Sequence, residues 1–370
     1  MKRPMENEER RLVWLSVMLG PGSLRPRRLL AEFGGSGEEV FRAAAKGDLP
    51  PLRFLDAELC AKLKEKASER YIDRLLARLE ELEIGACTIA SPDYPALLKE
   101  IYDPPAVLYY KGTLYSQLRL PIAVIGSREP TEYGRRVAKE LAKELAGCGA
   151  CIVSGLARGV DRLVAEGALE AENSDYPTVA VLGNGPDVAY PGGNRDVYER
   201  IAERGALISE YMPGVEPRAM NFPTRNRIIS GLSKGVVVVE AGEKSGTSIT
   251  VDSALEQGRD VFAIPGRITD GQSAGTNGLL RAGMAKIVLS ADDVLEEYGV
   301  VRGGKPTKTV DAKALPFEQQ LIHRLLMAGE RSFDELCELT GFDPAKLNYT
   351  LTEMEFSEII KQSPGRLFGL

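Results

Sequence analysis

Through residues 1–80 the apolar positions recur every three or four places. "ERRLVWLSVML" carries one apolar stripe, "GPGSLRPRRLLAEFGG" sets a Gly-rich turn before a basic amphipathic segment, and "ERYIDRLLARLEELEIG" closes on Gly85. That is the helical period, with glycine as the expected terminator, so residues 1–80 are predicted to form a helical domain. A connector rich in Pro and Tyr follows, "SPDYPALLKEIYDPPAVLYYKG". From Pro121 short apolar runs take over: "IAVIG", "CIVSG", "TVAVLG", "ALISEY", "GVVVVEA", "DVFAIPG" and "KIVLS". Uninterrupted Val/Ile runs predict strands covered on both faces. Their alternation with helices such as "TEYGRRVAKELAKELAG" predicts an α/β fold for residues 81–300, a doubly wound, Rossmann-like parallel sheet. Residues 301–311 have no period and read as a linker. Residues 312–370 read as three short helices and a terminal hairpin, the pattern of a winged helix.

Composition removes several kinds of chemistry. The chain has 370 residues, 44% of them hydrophobic, and a formal net charge of −6, which argues against generic coating of DNA but not against local basic patches. His323 is the only histidine, so His-based triads and multi-His metal sites are excluded. The five cysteines, Cys60, Cys87, Cys148, Cys151 and Cys337, have no framework spacing and suggest a reducing cytoplasm. Cys148 and Cys151 form a C-x-x-C, read as a helix end and the start of a buried strand, because a zinc site needs a second ligand pair. No apolar run is long enough to span a bilayer, and no signal-peptide pattern opens the chain.

In a doubly wound sheet, ligands sit beyond the carboxyl ends of the strands. The residues there are Gly126-Ser127-Arg128, then Ser154-Gly155-Leu156-Ala157-Arg158, then Gly183–Asp187, then Glu240–Thr247 with Ser245, Gly246 and Thr247. Small residues let a ligand approach the backbone, the following helix N-termini favour anions, and Arg128 and Arg158 add forked donors suited to phosphate. Nucleotide fingerprints are incomplete: "GNGPDV" lacks the last glycine of G-x-G-x-x-G, and "GEKSGTS" is not a Walker loop. Glu210 and Glu240 end strands, where each can orient an arginine or act as acid or base.

"NFPTRNRIISGLSKG", residues 221–235, is the oddest stretch. No Asp or Glu occurs between Glu216 and Glu240, while Arg225 and Arg227 flank Asn226. Pro223 is expected to stop any earlier helix and Thr224 to cap a new one, so both arginines would fall in a first helical turn. The macrodipole disfavours cations there unless an anion binds too. The alternative is that one of them pairs with Glu210 or Glu240.

With these residues in view, the central region resembles the DNA-processing protein A (DprA/Smf) family. The matching segments are "VIGSREPTEYG" (124–134), "SGLARGVD" (154–161), "NGPDVAYPGGN" (184–194), "ISEYMPG" (208–214), "NFPTRNRIISGLS" (221–233), "EAGEKSGTSIT" (240–250) and "GRDVFAIPG" (258–266), in the family's order. The resemblance implies a single-stranded DNA-binding protein of natural transformation that forms a homodimer, protects incoming DNA and loads RecA onto it, with no catalysis and no cofactor. It also implies a SAM-like or helix-hairpin-helix character for residues 1–80. Carried over residue by residue, it marks Gly126, Ser127 and Arg128; Ser154, Gly155 and Arg158; Asn221, Arg225, Asn226 and Arg227; and Ser245, Gly246 and Thr247. The chain departs from many relatives in having Val164 and Ala165 where they carry Ala-His. Gly192 replaces a DNA-contacting lysine of some relatives, leaving Arg195 as the nearest cation. Phe222 and Tyr133 are candidates for base stacking.

Two further expectations concern the flanks. "DPAKLNYTLTEMEF" sets Lys346 against Asp343, Glu353 and Glu355, so the winged helix is expected to bind protein rather than a DNA groove. Arg25, Arg27 and Arg28 offer an auxiliary phosphate contact or a solvated helix start. The competing reading of the whole is a nucleoside-monophosphate phosphoribohydrolase on the same fold, with Glu240 as acid or nucleophile. Its P-G-G-x-G-T loop is broken here after Gly193.

Overall fold

The computed structural model describes residues 3–22, 24–243, 245–300, 315–326, 331–357, 359–363 and 367–369; the expected linker at 301–311 lies outside them. Nine strands form the main sheet: β1 (Gly85–Thr88), β2 (Val107–Gly112), β3 (Pro121–Ile125), β4 (Cys151–Ser154), β5 (Thr178–Leu182), β6 (Ala206–Ser209), β7 (Gly235–Val238), β8 (Asp260–Ala263) and β9 (Lys286–Ile287). Their order across the sheet is β1-β2-β6-β5-β4-β3-β7-β8-β9. β3 to β9 are mutually parallel, and the β1–β2 hairpin joins antiparallel to β6. The chain winds outward from β3 through β4 and β5 to β6. It then crosses back by the helix Asn221–Gly231 to β7, on the other side of β3. The loops after β3 and β7 therefore part in opposite directions, the crevice where such sheets bind ligands.

Both sheet faces are covered, as the Val/Ile runs predict. Ile125, Val153, Val181, Ile208, Ile228 and Val238 share one core; Ile122, Val124, Leu141, Leu145, Ile152 and Val237 share the other. Cys148 caps the helix Glu132–Gly147 and Cys151 opens buried β4. All five cysteines are free.

Five helices, Asn7–Leu19, Arg25–Glu32, Gly37–Lys46, Ala57–Lys66 and Glu69–Glu81, surround Trp14, Leu29, Val40, Leu63 and Ile72. A smaller cluster of Leu12, Val13, Leu79, Ile84, Val107 and Tyr109 ties them to β1 and β2, and residues up to Val300 make one compact unit. Gly85 is not the helix terminator expected of it. The helix ends at Glu81, Glu83 takes the left-handed turn (φ 57°), and Gly85 starts β1. Glycine is needed there because the Tyr110 ring lies across it; a Cβ would sit 2.2 Å from the ring's Cζ.

The second unit begins at Val301. Its described residues form helices Phe317–Leu326, Phe333–Thr340 and Pro344–Phe356 and a small sheet of β10 (Arg331–Ser332), β12 (Leu367–Gly369) and β11 (Lys361–Ser363), in that spatial order. Ile322, Leu336, Leu347, Leu351 and Phe368 form its core. This is the expected winged helix.

Candidate nucleic-acid interface

Backbone contacts join the loops after β3, β4 and β7. After β3, the Ser127 N–H donates to the Glu240 carbonyl (2.8 Å), and the Ser127 carbonyl accepts from the Val160 N–H (3.0 Å). Gly159 (φ 77°) lies so close beneath Ser127 and Arg128 that a Cβ would meet the Ser127 carbonyl oxygen at 2.4 Å and the Arg128 carbonyl carbon at 2.6 Å. Only glycine fits this conformation and this contact. Arg128 and Arg158 stand on either side of the seam, both exposed, with no acidic partner within ion-pair distance among the described residues.

A cleft of about 540 Å³ opens at the crevice between the loops after β3 and β7. It is lined by Gly126, Ser127, Arg128, Phe222, Arg225, Asn226, Ser245, Gly246 and Thr247. A smaller adjoining one of about 280 Å³ shares Arg128 and adds Gly155, Arg158, Tyr190 and Phe222. The helices Val160–Leu169, Asn221–Gly231 and Thr247–Glu256 all start at this crest without a side-chain cap. Their dipoles favour an anion, while the first N–H of each is already engaged: Val160 by the Ser127 carbonyl, Asn221 by the Arg218 carbonyl and Thr247 by the Ser245 hydroxyl.

The two arginines of "TRNR" serve the fold, each differently. The crossover helix begins at Asn221, so Pro223 falls inside its first turn and Thr224 is not a cap. Pro is tolerated in a first turn, where its missing N–H has no helical partner to lose. Arg225 and Arg227 therefore belong to the second turn, which corrects the first-turn dipole argument. Arg225 is 4% exposed. It donates to the Gly155 carbonyl (2.8 Å) and to the Val181 carbonyl, and its guanidinium packs on Gly155 so tightly that a Cβ would lie 2.5 Å away. Burial lowers its pKa to about 10, and Asp161 opposes that shift.

Asp161 is buried, and its Oδ2 accepts from the Gly155 and Ala157 N–H groups at 3.1 and 3.3 Å. Burial raises its pKa, and Arg225 pulls it back. Those two N–H groups of the β4 loop are thus already engaged. Arg227 turns away from the cleft: its Nε donates to Asp103 (2.7 Å) and a terminal nitrogen to Glu210 (3.0 Å). Of the two partners offered for an arginine here, Glu210 is the one used. Glu240, 1% exposed, instead accepts from the Thr131 N–H (2.9 Å) and hydroxyl, seating the helix Glu132–Gly147.

Other expected contacts also lie outside both clefts. Ser154 is fully buried under the loop it begins. Asn221 is buried and donates to the Gly183 carbonyl (2.8 Å). Arg195 is exposed at the start of the helix Arg195–Arg204 and lines neither cleft. Tyr133 reaches the Pro265 carbonyl (3.3 Å), and it is Tyr190 that stacks on Phe222, with ring centroids 5.6 Å apart. Asp161 and Tyr190 were missed at first. Asp161's signal was an acid in the first turn of the helix that follows the β4 loop; Tyr190 lies 32 residues from Phe222 and leaves no local trace. On the flanks, Arg27 donates to the Tyr102 carbonyl and stacks over its ring, and Lys346 pairs with Glu318 (3.1 Å). Among the described residues no group of three His, Cys, Asp or Glu could hold a metal, and no helix is long and apolar enough to cross a membrane.

Residues 85–299 match the family model of DNA recombination-mediator protein A. The chain belongs to the DNA-processing protein A (DprA/Smf) family. Residues 306–366 match the DprA winged helix domain. The DNA processing protein DprA of Bacillus subtilis is 44% identical over 241 residues, which are 64% of this chain and 80% of that one. A DprA structure from Streptococcus pneumoniae superposes with a TM-score of 0.66 at 34% identity, covering 80% of this chain and 99% of that one. The DNA processing protein A of Helicobacter pylori, described for its unique single-stranded DNA binding mode, superposes with a TM-score of 0.52 at 32% identity, covering 58% and 95%.

Proposed function

We propose that this chain binds single-stranded DNA at the crest cleft, protects it and hands it to a RecA-type recombinase in the cytoplasm, during transformation or recombination. The observation that carries the reading is the pair Arg128 and Arg158, exposed and without an ion-pair partner among the described residues, beside two helix N-termini whose dipoles favour an anion. Phosphates are held by these groups and by Ser127, Ser245, Gly246 and Thr247, while Tyr190 and Phe222 offer stacking faces that any base can use. Arg225, Gly155 and Asp161 set the floor of the cleft. Arg227 braces the helix and makes no phosphate contact. A mobility shift tests the reading: single strands should be retarded at concentrations that leave duplex of the same length free, and added RecA should assemble faster on the retarded strand. Equal retardation of duplex would overturn it. For the phosphoribohydrolase reading, Glu240 is poorly placed, since Thr131 engages both carboxylate oxygens.

The homodimer is proposed to form at the open sheet edge. Among the described residues no strand lies beyond β9; Ile287 (53% exposed) ends it and Leu289 (76%) follows two residues on. An apolar strand edge left open is a pairing surface. A chain carrying Ile287→Lys and Leu289→Lys should elute and scatter light as a monomer where the parent is a dimer. A dimer unchanged by both substitutions would place the interface elsewhere.

A further inference from the structure

A second cavity, of about 430 Å³, lies on the far side of the crossover helix from the DNA cleft, between the first N-terminal helices and the segment leading into β2. Leu24, Leu30, Ile89, Ile101 and Val107 make its walls mostly apolar, and Glu210 lines it. Glu210 is 9% exposed; its Oε1 accepts from Arg227, and its Oε2 is buried with no donor. A buried carboxylate oxygen in such surroundings normally has a hydrogen-bond partner.

Three donors around the chamber are already used. The Ser16 hydroxyl is shared between the Val13 carbonyl and the Tyr109 hydroxyl, the Tyr94 hydroxyl donates to the Pro105 carbonyl, and Arg27 donates to the Tyr102 carbonyl. Charge points the same way. Asp103 and Glu210 share the single guanidinium of Arg227, and Arg27, which also lines the cavity, is exposed with its charge screened by solvent. Lys99, at the rim, is exposed, and its charge is screened by solvent.

We propose that this cavity is a binding site for a small amphipathic amine, its ammonium group held by the Glu210 carboxylate and its apolar body by the walls. Nothing in the DNA reading requires the site, and the site does not require that reading. Arg227 does join the two physically, because it anchors the helix that carries Arg225 and Asn226 into the DNA cleft.

Phenethylamine is the probe, titrated into the full chain by calorimetry beside 2-phenylethanol and 3-phenylpropionate. The expected result is saturable one-to-one binding of the amine, at least tenfold weaker binding of the alcohol and none of the acid. Glu210→Gln should weaken the amine at least tenfold. Because that change also disturbs Arg227, Ala106→Phe serves as the second variant: it fills the chamber, leaves the Arg227 ion pairs in place and should abolish binding. No saturable binding of the amine, equal binding of the acid, or amine binding unaffected by Ala106→Phe would each overturn the proposal.

Discussion

Arg225→Ala should lower the stability of the chain by about 3–5 kcal/mol, the usual cost of stripping a buried charge of its counter-charge. Arg225 holds the carbonyls at the end of β5 and in the β4 loop, and its positive charge offsets buried Asp161. Without it, two carbonyls lose a donor and the carboxylate loses its main compensation. The sign of the pH dependence follows. Burial already raises the Asp161 pKa in the parent chain, and loss of Arg225 removes the charge that opposes this. A carboxyl raised in the folded state keeps its proton there at pH values where the unfolded chain, near 3.9, has lost it. Stability then falls as pH rises from the unfolded value through the folded one. The deficit of Arg225→Ala is therefore largest above the folded pKa and shrinks toward acid. Urea unfolding at acid and neutral pH measures it. Asp161→Asn should restore part of the loss in the Arg225→Ala background, since the amide oxygen can still accept from Gly155 and Ala157. Unfolding midpoints within error of the parent at both pH values would show that Arg225 is dispensable to the fold.

The double variant Arg128→Ala, Arg158→Ala should do the reverse. Both side chains are exposed and have no ion-pair partner among the described residues, so stability should stay within about 0.5 kcal/mol. If each guanidinium gives one phosphate a charge-assisted bond, single-strand affinity falls about 100-fold at low salt. The slope of log affinity against log salt should become shallower by about 1.4, or 0.7 for each phosphate lost from a single strand. Fluorescence anisotropy with a labelled oligothymidylate across a salt series reads both. Affinity within twofold of the parent, with an unchanged slope, would move the DNA site off these loops.

Much of the architecture was legible because period and composition are local. Val/Ile runs from "IAVIG" to "DVFAIPG" could form nothing but covered strands, and the loops after them marked the crest before any coordinates. Side-chain direction was not legible. The two arginines of "TRNR" lie two residues apart, so on a helix they point to different sides. One meets carbonyls of β5 and the β4 loop, and the other meets carboxylates from the β2 lead-in and the end of β6. Those partners are 17 to 124 residues away in the chain, beyond the reach of any helical spacing rule. The same limit hid the Tyr190–Phe222 stack. Thr224 failed as a cap because Pro223 suits a first turn as well as it suits a stop.

The seam beneath Arg128 and Arg158 has a mechanical consequence. Their Cα positions are tied by peptide-to-peptide contact through Gly159, Val160 and Ser127, not by side chains that can swing. The two Cα positions are thus held at one separation, and only the exposed guanidinium arms beyond them can adjust. If a single strand is gripped at both points, the backbone sets the mean span, whatever bases lie between the grips, and the arginine arms and the strand supply the give.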